Sequence, residues 1–316
     1  MNLCIIIVTW NAKNFLKNCL ISIFKNIKKI SFEIIVVDNG SIDGTSEMIK
    51  REFPEVILIQ NSENLGFAKA NNQALKYAIR KFRKVPYVLL LNSDVIIKNN
   101  VIEEMFSYME AHSEVGCISP ALILPDKKSQ VGVAGFNPSP FTGFNYFFFI
   151  SKLLPKKTKG LFIDQTKFLS EKRPVDVDWV SGACLMVRKK VILEAGLLNE
   201  DFFFYVDDVD WCIRIKEKGW KIHYLPWLSV IHYHNITFEE ILRKPNTRWV
   251  IELFQYIKRR KGYLSYVLFR LFFIGGYTLR IILYGIGYFI TKKSYHKQKA
   301  FEVFYYWKAG LKGKEI

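Results

Sequence analysis

Apolar positions along the first third of the chain follow two alternating rhythms. Short runs rich in Ile, Val and Leu predict strands at Leu3–Thr9, Glu33–Asp38, Val56–Gln60, Tyr87–Asn92 and Val115–Ser119. Between them, Leu16, Leu20, Ile23 and Ile27 mark one helix face, and Phe67, Ala70, Ala74, Ala78 and Phe82 mark another, both near the 3.6-residue period. Near-continuous apolar strands alternating with such helices predict an α/β fold, Rossmann-like, around a mostly parallel sheet covered on both faces. Open sheets of this kind bind ligands beyond the carboxyl ends of their strands.

The rhythm breaks from Asp126 to Pro174, a stretch with Gly, Pro, many Lys and the aromatic cluster GFNYFFFI (Gly143–Ile150). It reads as a long loop or lid over residues 126–174. Regularity returns with VDVDWVSGACLMV (Val175–Val187). Helices are then predicted near Arg188–Ala195 and Asp207–Lys218, strands at Trp220–Leu225 and Leu228–His232, and helices from Phe238 onward.

Half of the 316 residues are apolar, which excludes wholesale disorder. Charge changes the picture more. Of the net +17, the residues from Phe238 to the end carry +11, with sixteen Lys and Arg against five acidic residues. That asymmetry points to a polyanionic partner, either nucleic acid or an anionic lipid surface. The five cysteines are scattered with no CxxC spacing, so buried free thiols are expected and no disulfide framework or zinc site. The N-terminal MNLCIIIVTWN has no basic n-region and reads as a strand, not a signal peptide.

Within the basic tail, Tyr263–Ile290 is apolar apart from Arg270 and Arg280. A charge at mid-membrane costs several kcal/mol, and the uncharged runs on either side of Arg280 are too short to span. At about 100° per residue, Arg259, Arg270 and Arg280 would share one side of a continuous helix, opposite Leu, Ile and Phe. That predicts a helix lying in the membrane interface, with KRRKG (Lys258–Gly262) and TKK (Thr291–Lys293) at the headgroups and the Phe144–Ile150 cluster as a second contact. Two other readings are a docking helix buried on the catalytic domain and a membrane hairpin broken at Gly275-Gly276.

Polar residues collect at the predicted strand ends. VTWN puts Trp10 and Asn11 at the first tip; VVDNGSIDGT puts Asp38 at the second, and LLLNSDV puts Asn92, Ser93 and Asp94 at the fourth. NSENLGFAKANNQAL sets Gly66, Asn71 and Asn72 at a helix start, where free amides could meet an anion. Taken singly, Asp38 could be a turn residue, Asp94 an N-cap, and the two asparagines solvated helix residues. Their joint placement on one rim favours a nucleotide site. Further on, Asp207, Asp208 and Asp210 crowd the head of one helix. One can cap it and Asp210 can pair with Arg214, leaving a carboxylate to act as a general base. His232 ends a strand in VIHYHNIT; a lone histidine there is more often structural, and one beside a carboxylate-lined pocket is a reasonable metal ligand.

These segments resemble the family 2 glycosyltransferases of GT-A fold, in particular the rhamnosyltransferase-like branch of bacterial cell-surface polysaccharide synthesis. VTWN, VVDNGSIDGT, NLGFAKANNQAL, LLLNSDV, WVSGACLMVR, FFFYVDDVDWCIR and VIHYHNIT match its motif set in order from Leu3 to about Thr237. The resemblance implies a catalytic domain over residues 1–237, with a nucleotide-sugar half (1–120) and an acceptor half (175–237), and the charge and apolar pattern of the tail make residues 238–316 a membrane-associating region. It implies a donor site of Thr9, Trp10, Asn11, Asp38, Asn39, Gly66, Phe67, Asn71, Asn92, Ser93 and Asp94, with Asp38 on the pyrimidine base. A divalent cation, Mg²⁺ or Mn²⁺, would sit on Asp94 and on His232 or His234. Asp208, or Asp207 standing at the motif's Glu position, would be the base, and Trp179, Gly182 and Asp210 would border the transferred sugar and acceptor.

The implied reaction is a one-step, inverting transfer from a nucleotide diphosphate sugar to a lipid-linked saccharide at the cytoplasmic face of the cell membrane, with dTDP-rhamnose as donor. A UDP-linked hexose, N-acetylhexosamine or galactofuranose is the alternative donor. A nucleic-acid-binding protein ranks lower, since no helix-turn-helix, RNP-like or zinc-finger pattern is present and no nucleic-acid partner is expected. A nucleotidyltransferase ranks lower too, because VTWNAKN stands where a Gly-rich loop would be needed.

Overall fold

The computed structural model describes residues 1–155, 157–233 and 245–316. The chain divides into two units. One comprises Met1–Ala134, Gln165–Phe203 and the described residues from Asp207 to 233; the other comprises Gly135–Asp164, Phe204–Val206 and the described residues from 245 on.

The first unit is an α/β sheet whose parallel half follows directly from the apolar runs. Strands β1 (Leu3–Thr9), β2 (Phe32–Asp38), β3 (Ile57–Gln60) and β4 (Tyr87–Asn92) lie in the order β3-β2-β1-β4, all parallel. Ile5, Ile6 and Ile7 of β1 are fully buried, as a central strand covered on both faces requires. The connecting helices α1 (Lys13–Asn26), α2 (Thr45–Glu52) and α3 (Phe67–Lys81) bury the faces their spacing predicts, Leu16, Leu20 and Ile23 on α1 and Ala70, Ala74 and Ala78 on α3. The register sets Thr9 beside Asp38 and Val8 beside Asn92, so three polar strand ends share one rim.

Beyond β4 the sheet changes direction. β5 (Val95–Ile96), helix α4 (Val101–Ala111), β6 (Val115–Ile123) and the two-residue β7 (Ala134–Gly135) come next in the chain. Short strands β8 (Val175–Asp176) and β9 (Trp179–Val180) precede β10 (Cys184–Arg188), which inserts antiparallel between β4 and β6. Helices α7 (Lys189–Ala195) and α8 (Asp207–Glu217) and strand β11 (Lys221–His232) complete this unit. β11 runs parallel to β6 and antiparallel to β5 and β8. The two strands predicted at 220–225 and 228–232 are one strand, whose register slips between Leu225 and Ser229. Pro226 lies in that gap and has no amide for the ladder, which accounts for the local irregularity. All five cysteines are buried free thiols, and burial pushes the Cys4 thiol up to about 12.

The second unit is helical. Part of the stretch that reads as a lid folds into α5 (Pro140–Phe147), which has a Ser139–Thr142 capping box and proline in its first turn, and the short α6 (Ile150–Leu153). These belong with α9 (Arg248–Thr291) and α10 (Ser294–Lys312). Phe147 is buried against Phe269, Phe273 and Tyr277, so the cluster at 144–150 is partly core. A Cβ on Gly276 would lie 2.4 Å from that of Phe147. Gly276 therefore permits close packing within a continuous helix, and the break in α9 falls at Gly262 (φ 84°) instead.

The expected basic stripe does not form. Gly262 interrupts the helix between Arg259 and Arg270. Arg270 donates to the carbonyls of Gly310 and Leu311 and to the Tyr266 hydroxyl, closing the end of α10. Arg280 donates to the Tyr146 carbonyl at 2.8 Å, with its guanidinium over the rings of Tyr146, Phe149 and Tyr277. The Arg280 guanidinium thus meets one carbonyl oxygen and three aromatic faces, and its Nε makes no hydrogen bond among the described residues.

Candidate active site

The strand ends of the first unit hold most of the residues singled out in the sequence. Thr9 and Asp38 are buried at the tips of β1 and β2. Asp38 Oδ1 accepts from the Ser41 amide at 3.0 Å, and Oδ2 accepts from the Ser46 hydroxyl. Asn11 accepts from the Ile42 amide and donates its own amide to Ser41 Oγ, so the β1 and β2 tips are laced into one loop. Trp10 between them is 40% exposed. Asn39 is a hub: its amide bonds Thr9 O, and its side chain bonds Asn61, Asn64, the Leu65 amide and the Gly66 carbonyl.

The start of α3 differs from expectation. The Gly66 amide donates to Asn64 Oδ1 and the Phe67 amide to the Phe203 carbonyl, so these two donors are engaged within the protein. Gly66 has φ 83°, and a Cβ there would stand 2.6 Å from Phe203 O; the glycine is required by the backbone turn and that close approach. Asn71 and Asn72 are buried, not solvated. Asn71 bonds the Phe67 carbonyl, while Asn72 holds Leu198 through both its amide and carbonyl and also meets Glu200.

Asp94 and His232 are brought together. Asp94 Oδ1 lies 3.1 Å from His232 Nε2, and Asn92 Nδ2 lies 3.3 Å from the same nitrogen. β5, which follows Ser93 and Asp94, pairs with the end of β11, and this pairing delivers the histidine. His232 Nδ1 meets Gln130 Oε1 at 2.8 Å. A carboxylate oxygen and an imidazole nitrogen are a suitable donor pair for Mg²⁺ or Mn²⁺. Among the described residues no cluster of three or more His, Cys, Asp or Glu gathers there, so phosphate or water oxygens would complete a cation's shell. His234 and Thr237 lie outside the described residues.

The Asn92 amide donates to the Ala183 carbonyl, which links this corner to the Asp208 loop. Asp208, in the first turn of α8, accepts from the Gly182 amide at 2.8 Å and from the Val209 amide at 2.8 Å. Burial raises its pKa above the ordinary carboxylate value, while the amide hydrogen bonds act in the opposite direction. Tyr205 (φ 72°) and Val206 (φ 66°) precede the helix in left-handed backbone, costly for a β-branched residue. Asp207 and Trp179 are buried beside it in sequence and in β9 respectively. Asp210 pairs with Arg214 at 2.9 Å, as the i,i+4 spacing allows. Arg214 also bonds the carbonyls of Ala195 and Leu197, giving Asp210 a scaffolding role.

Sequence reasoning passed over Gln130 and Gln165. Both lie in the irregular 126–174 stretch, where neither periodicity nor motif marks a buried glutamine.

Residues 4–172 match the model of Glycosyl transferase family 2. The chain is 27% identical over 206 residues to N-acetylglucosaminyl-diphospho-decaprenol L-rhamnosyltransferase of Mycobacterium tuberculosis, covering 63% of this chain and 66% of that one. It is 26% identical over 262 residues to rhamnosyltransferase WbbL of Escherichia coli, covering 81% and 93%. A mannosyltransferase of Pyrobaculum calidifontis, solved with GDP-Man and Mn²⁺, superposes with TM-score 0.61 at 15% identity, covering 98% of this chain and 86% of that structure. That likeness is one of fold. With more than half of the chain matched in order, including the β1, β2 and β4 rims, the protein belongs to glycosyl transferase family 2.

Proposed function

We propose that the protein transfers a sugar, L-rhamnose from dTDP-rhamnose, to a lipid-linked saccharide in cell-surface polysaccharide assembly. The observation that carries this reading is the Asp94–His232 pair joined, through Asn92 and Ala183, to the loop that holds Asp208. The names of the mycobacterial and E. coli relatives support rhamnose. Asp94 and His232 would hold a divalent cation, which would offset the negative charge that builds on a departing diphosphate. Asp208 takes the proton from the acceptor hydroxyl as its oxygen bonds to the anomeric carbon and the bond to the diphosphate breaks. With Asp208 acting on the acceptor hydroxyl and no carboxylate assigned as nucleophile, the displacement would invert the anomeric centre. Trp10 and Asp38 line the base end of the donor pocket, and Trp179 and Gly182 the sugar end.

The helical second unit gives the acceptor's membrane a surface to meet. α9 has an 18-residue window of mean hydropathy 1.6 and is long enough to cross a bilayer by length and composition. Leu264, Leu271, Ile282, Ile286 and Phe289 are exposed, while Arg270 and Arg280 donate to carbonyls within the second unit. Lys258–Lys261 and Lys292-Lys293 flank the apolar run, a pattern that suits a monotopic contact with anionic lipid. A panel of dTDP-, UDP- and GDP-sugars, read by thermal stabilisation and slow donor hydrolysis, tests the donor. Stabilisation by dTDP-rhamnose above the others is expected; a preference for a UDP-sugar would replace rhamnose with that donor.

A further inference from the structure

His232 is only 4% exposed, and its ring is held from both sides by amides. On one side Gln130 Oε1 lies 2.8 Å from Nδ1. An amide oxygen can only accept, so the hydrogen in that contact belongs to Nδ1. On the other side Asn92 Nδ2 lies 3.3 Å from Nε2. An amide nitrogen can only donate, so Nε2 receives with its lone pair. The two contacts describe the same tautomer, with hydrogen on Nδ1; Asp94 Oδ1 also lies 3.1 Å from Nε2, and two acceptors at that separation repel unless a proton or a cation stands between them.

Gln130 is itself fastened. Its backbone amide donates to the Leu122 carbonyl at 3.1 Å, and its backbone carbonyl accepts from Gln165 Nε2 at 2.8 Å. Gln165 Nε2 also bonds Leu122 O at 2.9 Å, and Gln165 Oε1 accepts from the Tyr224 hydroxyl at 2.6 Å. Reversing the Gln165 amide would turn its oxygen towards two carbonyl oxygens, so these partners fix its orientation. Gln130, Gln165 and Tyr224 are all buried. Glutamine is seldom buried, and placing its amide out of water costs free energy unless the hydrogen bonds are made. Two such residues in series, ending on the histidine of the candidate site, are more than the closure of a surface loop requires.

We infer that Gln130 and Gln165 are positioning residues for the donor-phosphate site. Gln130 holds His232 with hydrogen on Nδ1 and Nε2 towards Asp94, where a cation would be held, and Gln165 holds Gln130 against the end of β6. This rests on the reading of Asp94 and His232 as a cation site. Partners of this kind orient a histidine ligand and raise its basicity, and their loss typically costs about 10–100-fold in metal affinity.

The test uses the full-length protein. ¹⁵N-histidine spectra, assigned with His232→Ala, report the tautomer of His232 without metal. Mn²⁺ affinity is measured by electron paramagnetic resonance titration with dTDP or UDP present. Hydrogen on Nδ1 of wild-type His232 is expected. Gln130→Leu should weaken Mn²⁺ binding about 10–100-fold, Gln130→Glu, which still accepts from Nδ1, should restore it, and Gln165→Leu should give a smaller loss. Hydrogen on Nε2 in the wild type overturns the inference even if Gln130→Leu fails to fold. Wild-type Mn²⁺ affinity in folded Gln130→Leu also overturns it, with the cation site left standing. A wild-type protein that binds no Mn²⁺ under either nucleotide removes the cation reading and this role together.

Discussion

The Gly182 amide donates to Asp208 Oδ2 at 2.8 Å, tying the proposed base to the turn that leads into β10. A Cβ on Gly182 would lie 3.1 Å from Phe67 Cζ and 3.5 Å from Asp208 Cβ. The position is tight on the side of the α3 start and merely in contact on the side of the carboxylate. The hydrogen bond fixes the carboxylate and favours its ionised form, against the burial that disfavours it.

Asp208→Asn should therefore retain nucleotide binding and lose at least ~10²-fold in kcat, the scale of a missing general base. Calorimetry beside a kinetic assay separates the two. Asp207→Asn, as the larger of the two losses, would move the base to the neighbour.

The raised pKa of Asp208 also sets a direction in pH. The base acts only when ionised, so the acid limb of the rate profile should lie above the ordinary carboxylate range. For stability the sign is opposite. A carboxyl whose folded pKa is raised stabilises most below its unfolded pKa, and that contribution is lost as pH rises through the folded value. Asp208→Asn should remove this pH-dependent loss, as denaturant melts between pH 4 and pH 8 would reveal (range chosen about the ordinary carboxylate value of ~3.9). An acid limb at that ordinary value would contradict the assignment.

Asp94→Ala should abolish cation-dependent turnover while leaving the fold intact, because the side chain is partly exposed at a strand end. Activity lost to a chelator and recovered with Mg²⁺ or Mn²⁺ in the wild type, but not in the variant, is the expected pair of results. Full activity of folded Asp94→Ala would end the cation reading.

Asp210 offers a contrast within the same helix turn. Its carboxylate is buried and bonded to Arg214, which in turn grips the Ala195 and Leu197 carbonyls. Asp210→Ala should cost about 3–5 kcal/mol of stability, the range for breaking a buried ion pair. Asp210→Asn keeps one acceptor and should cost less, with kcat per folded molecule nearly unchanged. A large fall in KM-corrected acceptor use without loss of stability would return Asp210 to the acceptor pocket.

The strand ends that carry the candidate site are legible in the sequence, for a physical reason. Strands buried on both faces leave nearly unbroken apolar runs, so β1, β2 and β4 end visibly where Asn11, Asp38 and Asn92 begin. The antiparallel β10 could not be placed, because Cys184–Arg188 is equally apolar in either direction and its neighbours are distant in sequence. The Phe67 amide reads as available because local pattern cannot reveal a partner 136 residues away, the Phe203 carbonyl, and the Gly66 amide is taken by the side chain of Asn64. Gln130 and Gln165 were missed for the same reason: a polar residue in an irregular stretch looks solvated until its partners are known. The arginine stripe fails because Gly262 breaks the rotation between Arg259 and Arg270, and because Arg270 and Arg280 find carbonyl partners that are distant in sequence.

That last correction changes what a membrane experiment should alter. If Arg270 and Arg280 faced anionic headgroups, neutralising them would weaken binding to anionic vesicles. With both bonded inside the second unit, their loss should act on stability instead. Arg280→Leu removes a donor to the Tyr146 carbonyl and three ring contacts, so it should lower the melting temperature. The lipid contact then rests on exposed apolar residues and on the flanking lysines and arginines. Deleting everything from Tyr263 would strip Phe147 of its packing against Phe269 and Phe273, so point changes are the cleaner probe. Leu271→Asp, Ile282→Asp and Phe289→Asp alter side chains that are 58%, 52% and 74% exposed, so they should leave the fold unchanged. Combined, they should release the protein from floated vesicles containing phosphatidylglycerol, since each loses about 1.5–3 kcal/mol of apolar transfer if fully inserted. Changing Lys258, Arg259, Arg260 and Lys261 to Gln should weaken flotation in a salt-dependent way, at about 1 kcal/mol per charge near the surface. Wild-type protein that stays at the bottom of the gradient at low salt, or a triple-Asp variant that floats as well as the wild type, would remove this helix from the membrane surface.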